Sequence, residues 1–234
     1  MTTVTVPASD LHWMLTATIP HTDDDDLFPM LSCVQLRITF QTLTATATDR
    51  HTLGHAAVRL PDSKPRGASL LLPVQFAREL RTLLRTEIDS SGLATVALTL
   101  DEENLVANLE AGDLKRSFAG SIFGPFPNWG ELAARCADAF TTPAPPVFAV
   151  DPRLVARFAK GAADLTNGVM ATAVPTGAGG SAMVAVRSGN PGDARYFFGL
   201  IAQMLYRDAM DDSAWTGWVA DLPADALTTP GAKA

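Results

Sequence analysis

The chain has 234 residues, 47% apolar and 18% charged, which is the composition of a folded globular protein and not of a disordered one. Its two cysteines are too few for a disulfide framework or a four-cysteine zinc site. The formal net charge of −7 disfavours nucleic acid as a partner unless the 18 basic residues are clustered locally.

The N-terminus and the lengths of the apolar runs bear on localisation. "MTTVTVPASD" lacks the basic and apolar regions of a signal peptide. Charges, Gly or Pro interrupt every apolar run well before the ~18 residues of a membrane span. We therefore expect a cytoplasmic protein without a membrane span, in which Cys33 and Cys136 are reduced thiols.

The first predicted unit is one strand, one helix and three further strands. Val4 and Val6 indicate the first strand, and Ser9 or Asp10 is the expected helix N-cap. The expected inward face of the helix consists of Leu11, Met14, Leu15 and Ile19. The three strands are predicted in "CVQLRITF", where Leu36, Ile38 and Phe40 alternate with polar residues, and in "TLTATATD" and "GHAAVRL".

The second unit repeats this order. "ASLLLP" predicts a strand that meets Pro73, a residue suited to the first position of a helix. The helix should bury Phe76, Leu80, Leu83 and Leu84. "LATVALTLD", "NLVANLEAG" and "LKRSFAGSI" then predict three strands, separated by turn sequences.

A third unit follows a segment rich in Pro and Gly. "PPVFAVDPRLVARFAKGAADL" predicts a strand and a helix capped by Asp151, with Leu154, Val155, Phe158 and Ala162 inward. "GVMATAVP", "SAMVAVRS" and "RYFFGLIAQML" predict strands, and "TGAGG" a hairpin loop. The predicted fold is α+β, with βαβββ half-domains whose helices cover one face of antiparallel sheets. The predicted organisation is a two-half domain over 1–123, a connection over 124–146, a third half over 147–207 and a tail over 208–234.

Basic residues form one stripe on each of two equivalent helices. Positions i, i+3 and i+7 of the second helix carry Arg78, Arg81 and Arg85, and positions i, i+4 and i+7 of the third carry Arg153, Arg157 and Lys160. Each stripe alone fits a solvated helix face. Their recurrence favours contacts to the phosphates of double-stranded DNA, without sequence specificity.

Several segments, in order, resemble the bacterial DNA polymerase III beta subunit, the sliding clamp. The segments are "PHTDDDDLFPMLSCVQL", "ATATDRHTLGHAAV", "SLLLPVQFARELRTLL", "LKRSFAGSIFGPFPNWGEL", "VFAVDPRLVARFAKGAADL" and "ARYFFGLIAQML", which together run from about residue 4 to 206. The resemblance implies a DNA-clamp-like fold, helices that line a ring, and a processivity function in DNA replication without catalysis or a cofactor.

The resemblance also implies a hydrophobic cleft that binds linear motifs of DNA polymerase and other replication or repair proteins. Carried onto this sequence, the cleft consists of Leu31, Thr48, Arg50, His51, Leu53, Pro127, Leu200, Ile201 and Ala202. The sequence departs from the family pattern at four places. Arg50 replaces the usual Gly, Thr52 replaces an Arg, "IAQML" lacks a proline, and Glu131 stands where a basic residue is expected.

The number of half-domains leaves the oligomeric state open. Clamp subunits contain six halves and dimerise, whereas three halves are predicted here. A closed ring would need four such chains, or three if the connection and tail complete a second domain. The alternative is a regulatory or protein-interaction module that kept the clamp fold without encircling DNA.

Catalytic and metal sites are weaker interpretations of the same residues. His21 with Asp23–Asp26 offers metal ligands, but a solvated acidic loop is the simpler interpretation. Residues 45–58 place His51 beside Asp49 and admit a catalytic cluster, a turn or a binding-site wall. No G-x-S-x-G elbow supports a triad, and "PTGAGG" lacks the Lys of a P-loop. We therefore expect no catalytic residue and no metal, and favour the binding-site wall.

Overall fold

The computed structural model describes residues 1–23, 27–60, 67–122, 125–130, 152–162, 170–175, 182–189 and 193–202. The helices are α1 (Ala8–Thr18), α2 (Val74–Ser91) and α3 (Pro152–Ala162), and a 3₁₀ turn (Ile19–His21) follows α1. The strands are β1 (Thr2–Pro7), β2 (Cys33–Ile38), β3 (Thr42–Thr48), β4 (Thr52–Arg59), β5 (Ala68–Pro73), β6 (Thr95–Asp101), β7 (Val106–Ala111), β8 (Leu114–Ala119), β9 (Met170–Pro175), β10 (Ala182–Ser188) and β11 (Arg195–Ile201).

The strands form two antiparallel sheets, and the predicted α+β class is confirmed. One sheet has the order β1-β6-β7-β8, and the other has the order β5-β2-β3-β4-β11-β10-β9. The first two units exchange their first strands, since Val4 pairs with Leu98 of the second unit and Leu70 pairs with Leu36 of the first. Each unit therefore completes the sheet of the other.

Strand β11 continues the sheet of the first unit into the third. It pairs with β4 in a register that places Leu200 opposite Leu53 and Gly199 opposite Gly54. The predicted tail, the "TGAGG" loop, the first strand of the third unit and most of the predicted connection lie outside the described residues. The predicted domain boundaries stay predictions.

Helix α1 is the central helix and is buried on nearly all sides. Leu11, Met14 and Leu15 are fully buried, as predicted, and so are Trp13 and Ala17. The helix contacts α2, α3 and the sheet strands β3 and β4. Its low amphipathicity follows from this position, because a helix surrounded by protein needs no polar face.

The predicted capping of α1 is wrong. The helix begins at Ala8, with Pro7 as N-cap and no side-chain cap. Asp10 lies inside the first turn, where its Oδ1 accepts a hydrogen bond of 2.7 Å from Nε of Arg195 on β11. Arg195 Nη2 also donates to Ser9 Oγ at 3.2 Å. Both expected capping residues thus bind the third unit.

Two apolar residues expected to be inward are exposed. Val155 on α3 is 45% exposed, because the buried face of that helix follows Leu154, Phe158 and Gly161, and Val155 lies about 100° away from Leu154. Phe40 is 56% exposed because β2 ends at Ile38 and the strand alternation stops with it.

The facing glycines Gly54 and Gly199 let two rings pack directly on the sheet. A Cβ atom at position 54 would lie 2.2 Å from Cδ2 of His21. A Cβ atom at position 199 would lie 2.1 Å from Cε1 of Phe158. The two rings are in contact, with centroids 4.6 Å apart. This pair of glycines therefore fixes how closely α3 and the 3₁₀ turn approach the β4–β11 ladder.

Candidate partner cleft and nucleic-acid surface

The β3–β4 turn is organised by the carboxylate of Asp49. Its Oδ1 accepts hydrogen bonds from the backbone N of His51 (3.0 Å), the backbone N of Thr52 (2.6 Å) and Oγ1 of Thr52 (2.9 Å). Thr48 Oγ1 donates to the carbonyl oxygen of Thr52 at 2.7 Å. This part of residues 45–58 is a turn with satisfied polar groups, and Thr48 is occupied within it.

The second carboxylate oxygen of Asp49 binds Arg157 of α3. Arg157 Nη1 donates to Asp49 Oδ2, and also to Thr52 Oγ1 at 3.1 Å. Burial by itself would raise the pKa of Asp49, but the hydrogen bonds from Arg157 and Thr52 outweigh it and hold this pKa below its ordinary value. Arg157, predicted as a DNA-facing residue, is thus held by the β3–β4 turn.

The outer face of the β4–β11 junction carries a small apolar cluster. Leu53, Leu200, Val174 and Ala185 are its buried members, and Trp129 and Phe198 pack against them. Leu53 and Leu200 stand opposite one another on adjacent strands. Because two of the predicted cleft residues meet here, we take this cluster as the floor of the candidate cleft.

His55 closes one side of the floor. Its Nδ1 shares a hydrogen bond of 2.9 Å with Thr46 Oγ1, and its ring lies 4.6 Å from that of Trp129. Burial lowers the pKa of His55 to about 4, since the charged ring would lose its hydration. His55 is therefore a neutral, satisfied core residue, and Trp129 packs where the third unit joins the first, both as predicted.

The remaining predicted cleft residues are distributed differently. Ile201 belongs to the main core on the helix side of the sheet, because it alternates with Leu200 along β11. Ala202 N donates to the carbonyl oxygen of His51 at 2.7 Å, which ties the end of β11 to the turn. Leu31 is buried, and Pro127 is exposed two residues before Trp129. Sequence reasoning missed Phe198, although it shares a strand face with Leu200.

Arg50 lies in the β3–β4 turn, three residues before the floor residue Leu53, in an unusual backbone conformation. Its φ of 74° is in the left-handed region, which a glycine adopts without steric cost. Its Nη2 donates to Asp23 Oδ2 at 3.3 Å, and its Cζ lies 4.6 Å from the centroid of the Phe28 ring. Arg50, which stands where the resemblance predicts a glycine, thus binds Asp23 and Phe28 of the segment after α1 through its side chain.

Among the residues that the structure describes, His21 is buried without a hydrogen-bond partner for either ring nitrogen. It is fully buried, and its nearest ring is that of Phe158 at 4.6 Å. Burial lowers its pKa to about 3, with Asp49 opposing this shift and Arg157 adding to it. His21 therefore stays neutral in the folded protein at physiological pH.

The helices present a basic surface that includes most of the predicted DNA-facing residues. A groove of about 610 Å³ between α1, α2 and α3 is lined by His12, Thr16, Arg81, Thr82, Arg85, Thr86, Asp89 and Lys160. An adjacent groove of about 490 Å³ brings Arg78 beside Arg116 of β8. Arg153 is exposed on α3. Sequence reasoning missed His12 and Arg116, which lie far from the two stripes along the chain.

Among the described residues, one acidic side chain lines each groove. Asp89 lies one helical turn from Arg85, with 3.7 Å between its Oδ2 and Nε of Arg85. Glu79 lines the second groove. The helix surface is therefore more basic than the chain as a whole.

Within the described ranges, no group of three or more His, Cys, Asp or Glu residues could hold a metal ion. The residues Asp24–Asp26 lie outside those ranges. No helix in the described part of the chain is both long and apolar enough to cross a membrane.

Comparison with known proteins identifies the fold. No family model matches the chain, and no curated protein matches it by sequence. Solved structures do match. The DNA polymerase III beta subunit of Thermotoga maritima matches with a TM-score of 0.66 and 14% identity, over 87% of this chain and 65% of that one. The DNA polymerase III beta chain of Streptococcus pneumoniae (TM-score 0.65, 12% identity, 87% of this chain and 65% of that one) and the beta subunit of Streptococcus pyogenes (TM-score 0.63, 12% identity, 86% of this chain and 65% of that one) match similarly.

The fold is that of the DNA sliding clamps. The chain spans about 65% of the length of these solved clamps. At 12–14% identity the similarity establishes the fold alone.

Proposed function

We propose that this protein is a sliding-clamp-like accessory protein that associates with double-stranded DNA through its helices and recruits replication or repair proteins through the cleft at the β4–β11 junction. The observation that carries the proposal is the groove in which Arg81, Arg85 and Lys160, from two different helices, line one surface of a clamp fold. The proposal includes association of several chains and assigns no catalytic residue and no cofactor.

The charge distribution supports the DNA-binding part of the proposal. Long cationic side chains on neighbouring helices can reach phosphates without reading bases, as a sliding protein requires. The net charge of −7 is compatible with this, because local cations attract phosphates within the Debye length of about 8 Å at physiological salt. Arg78, Arg116 and Arg153 extend the same cationic character, whereas Arg157 is engaged with Asp49.

The apolar junction supports the partner-binding part. Leu53 and Leu200 lie side by side in a cluster edged by Trp129 and Phe198. Apolar floors with aromatic edges are suited to the side chains of an extended linear motif. The turn residues Arg50 and His51 precede Leu53 in the chain, are exposed, and would supply polar contacts to such a motif.

Salt-dependent fluorescence anisotropy with a labelled blunt-ended duplex tests DNA association. The double variant Arg81→Ala/Arg85→Ala should lower the slope of log K against log salt by about two, since each lost phosphate contact removes about 0.9. Arg37→Ala is the matched control, because Arg37 is an exposed arginine on the opposite face of β2 from the core residues Leu36 and Ile38. Equal slopes for both variants would remove DNA from the proposed function.

The second candidate is a regulatory or protein-interaction module that does not form a ring. Its support is that Arg157, one cation of the predicted stripes, is engaged internally with Asp49. Gel filtration with multi-angle light scattering separates the two candidates. A trimer or tetramer at micromolar concentration supports the ring, whereas a monomer or dimer with negligible DNA affinity at physiological salt supports the module.

A further inference from the structure

We propose that Arg50 is a specificity-determining residue of the cleft and selects partner peptides in which a carboxylate side chain neighbours an apolar one. This inference rests on the proposed function of the same site, the cleft at the β4–β11 junction. In the absence of a partner, Asp23 occupies the position that the peptide carboxylate would take.

The backbone at Arg50 favours a role for its side chain. A left-handed φ of 74° is readily adopted by glycine and is unusual for a residue with a long side chain. The turn itself is held by Asp49 and Thr48, and none of those hydrogen bonds uses the guanidinium of Arg50. Unfavourable backbone conformations that the surroundings enforce are concentrated at binding sites. The turn therefore does not depend on the guanidinium of Arg50.

The guanidinium is held in place but retains donors. One face is covered by the Phe28 ring at 4.6 Å, and Nη2 donates to Asp23 at 3.3 Å. An arginine has five N–H donors, and the Arg50 side chain is 51% exposed. A planar cation fixed by an aromatic ring is prepared to bind a carboxylate with two parallel hydrogen bonds.

Apolar surface lies beside this cation. Leu27 is 76% exposed and Phe28 is 41% exposed, although both are large hydrophobic residues. Leu31, from the same segment, hydrogen-bonds through its backbone to Phe28 and Asp23. The backbone N of Ala202, two residues beyond the floor residue Leu200, donates to the carbonyl oxygen of His51 beside Arg50. An extended peptide along this rim would meet apolar surface and a positive charge together.

Selection from a phage-displayed library of random heptapeptides tests the proposal on the full chain. Against the unmodified protein, peptides with Asp or Glu next to an aliphatic or aromatic residue should be enriched. Against Arg50→Gly, the acidic enrichment should vanish while apolar residues persist. Glycine suits the left-handed φ, so this variant should fold, and thermal unfolding verifies it.

Anisotropy titrations of one selected peptide quantify the effect. Arg50→Gly should lower the affinity for the acidic peptide about tenfold, because a charge-assisted hydrogen bond is lost. The affinity for the same peptide with Asn or Gln in place of its Asp or Glu should hardly change. Arg50→Lys should restore part of the affinity, and Asp23→Asn should raise it by removing the internal competitor. Arg37→Ala serves as the distant control.

The two proposals fail in different ways. Apolar peptides selected equally by the unmodified protein and Arg50→Gly, without acidic residues, would overturn the role of Arg50 and leave the cleft intact. A library from which neither protein enriches any peptide would overturn the cleft and the inference together.

Discussion

Arg157 of α3 and Asp49 of the β3–β4 turn form an ion pair between residues 108 positions apart in the chain. The pair joins the third unit to the first at the end of the strand ladder that forms the candidate cleft. Arg195 and Asp10 make an equivalent connection at the other end of β11. The third unit is therefore fastened to the first by charged pairs as well as by the β4–β11 ladder.

Breaking the Arg157–Asp49 pair should destabilise the fold. Arg157→Met leaves the carboxylate of Asp49 in a largely buried position without its cation, and we expect a loss of about 2 kcal/mol in the free energy of unfolding. Urea unfolding measures it, with Lys160→Ala on the exposed side of the same helix as control. Asp49→Asn/Arg157→Met should lose less than the sum of the single variants. Strict additivity would contradict the pairing.

Stability should fall as the pH drops below about 6.5. His21 and His55 have folded-state pKa values of about 3 and about 4, so both rings bind protons more readily in the unfolded chain. Between these values and the unfolded value of about 6.5, acid therefore favours unfolding. At pH 5 we expect each ring to contribute a loss of about 2 kcal/mol relative to pH 8.

Urea unfolding between pH 5 and pH 8 measures this dependence. Replacing His55 with Gln keeps a polar group near Thr46 and should remove about half of the pH dependence. Since Asp49 titrates below its ordinary value, its stabilising contribution is lost only at still lower pH. A flat profile from pH 8 to pH 5 would show that the rings are accessible to water.

Gly54 should not tolerate a methyl group. Gly54→Ala places Cβ against the buried ring of His21, and we expect a loss of about 2 kcal/mol through overpacking. Gly67→Ala is the matched control, because a Cβ atom there would have one described neighbour within 4 Å, the carbonyl oxygen of Ile38 at 3.8 Å. Thermal unfolding compares them. In the His21→Ala background the penalty at position 54 should shrink, and an unchanged penalty would locate the clash elsewhere.

Asp89 should weaken DNA association. Its carboxylate lines the groove together with Arg81, Arg85 and Lys160, and its Oδ2 lies 3.7 Å from Nε of Arg85. Asp89→Asn should raise the affinity for a duplex about twofold at low salt, and the gain should decline as salt screens the surface. Glu110→Gln is the control, because it removes an exposed carboxylate of β7 that lies near Lys115 of β8. Equal effects of both substitutions would indicate that the affinity for DNA depends only on the net charge of the protein.

Local sequence patterns predicted the elements because the forces that form them are local. The alternation along β2 and the spacing of Leu80 and Leu84 on α2 reflect which side of each element is buried. The misassigned cap at Ser9 and Asp10 has a different origin. Both residues suit an N-cap, and Arg195, which is 186 residues from Ser9 and 185 from Asp10, binds them instead.

The candidate site was only partly predictable. The ordered resemblance pointed to Leu53 and Leu200, which the structure places opposite one another. It did not reveal that Ile201 lies on the opposite face, or that Arg157 turns toward Asp49. These outcomes depend on strand register and on which charged groups meet, and neither is encoded in the spacing of one segment.

The sequence by itself determined the order of helices and strands, the α+β class and the buried faces of α1 and α2, because hydrophobic periodicity and turn chemistry act over a few residues. Only the tertiary structure decided that β1 and β5 exchange sheets, that β11 extends the sheet of the first unit, and that Arg81, Arg85 and Lys160 line one groove. These relationships arise from contacts between distant segments, whose free energy depends on how whole surfaces fit together.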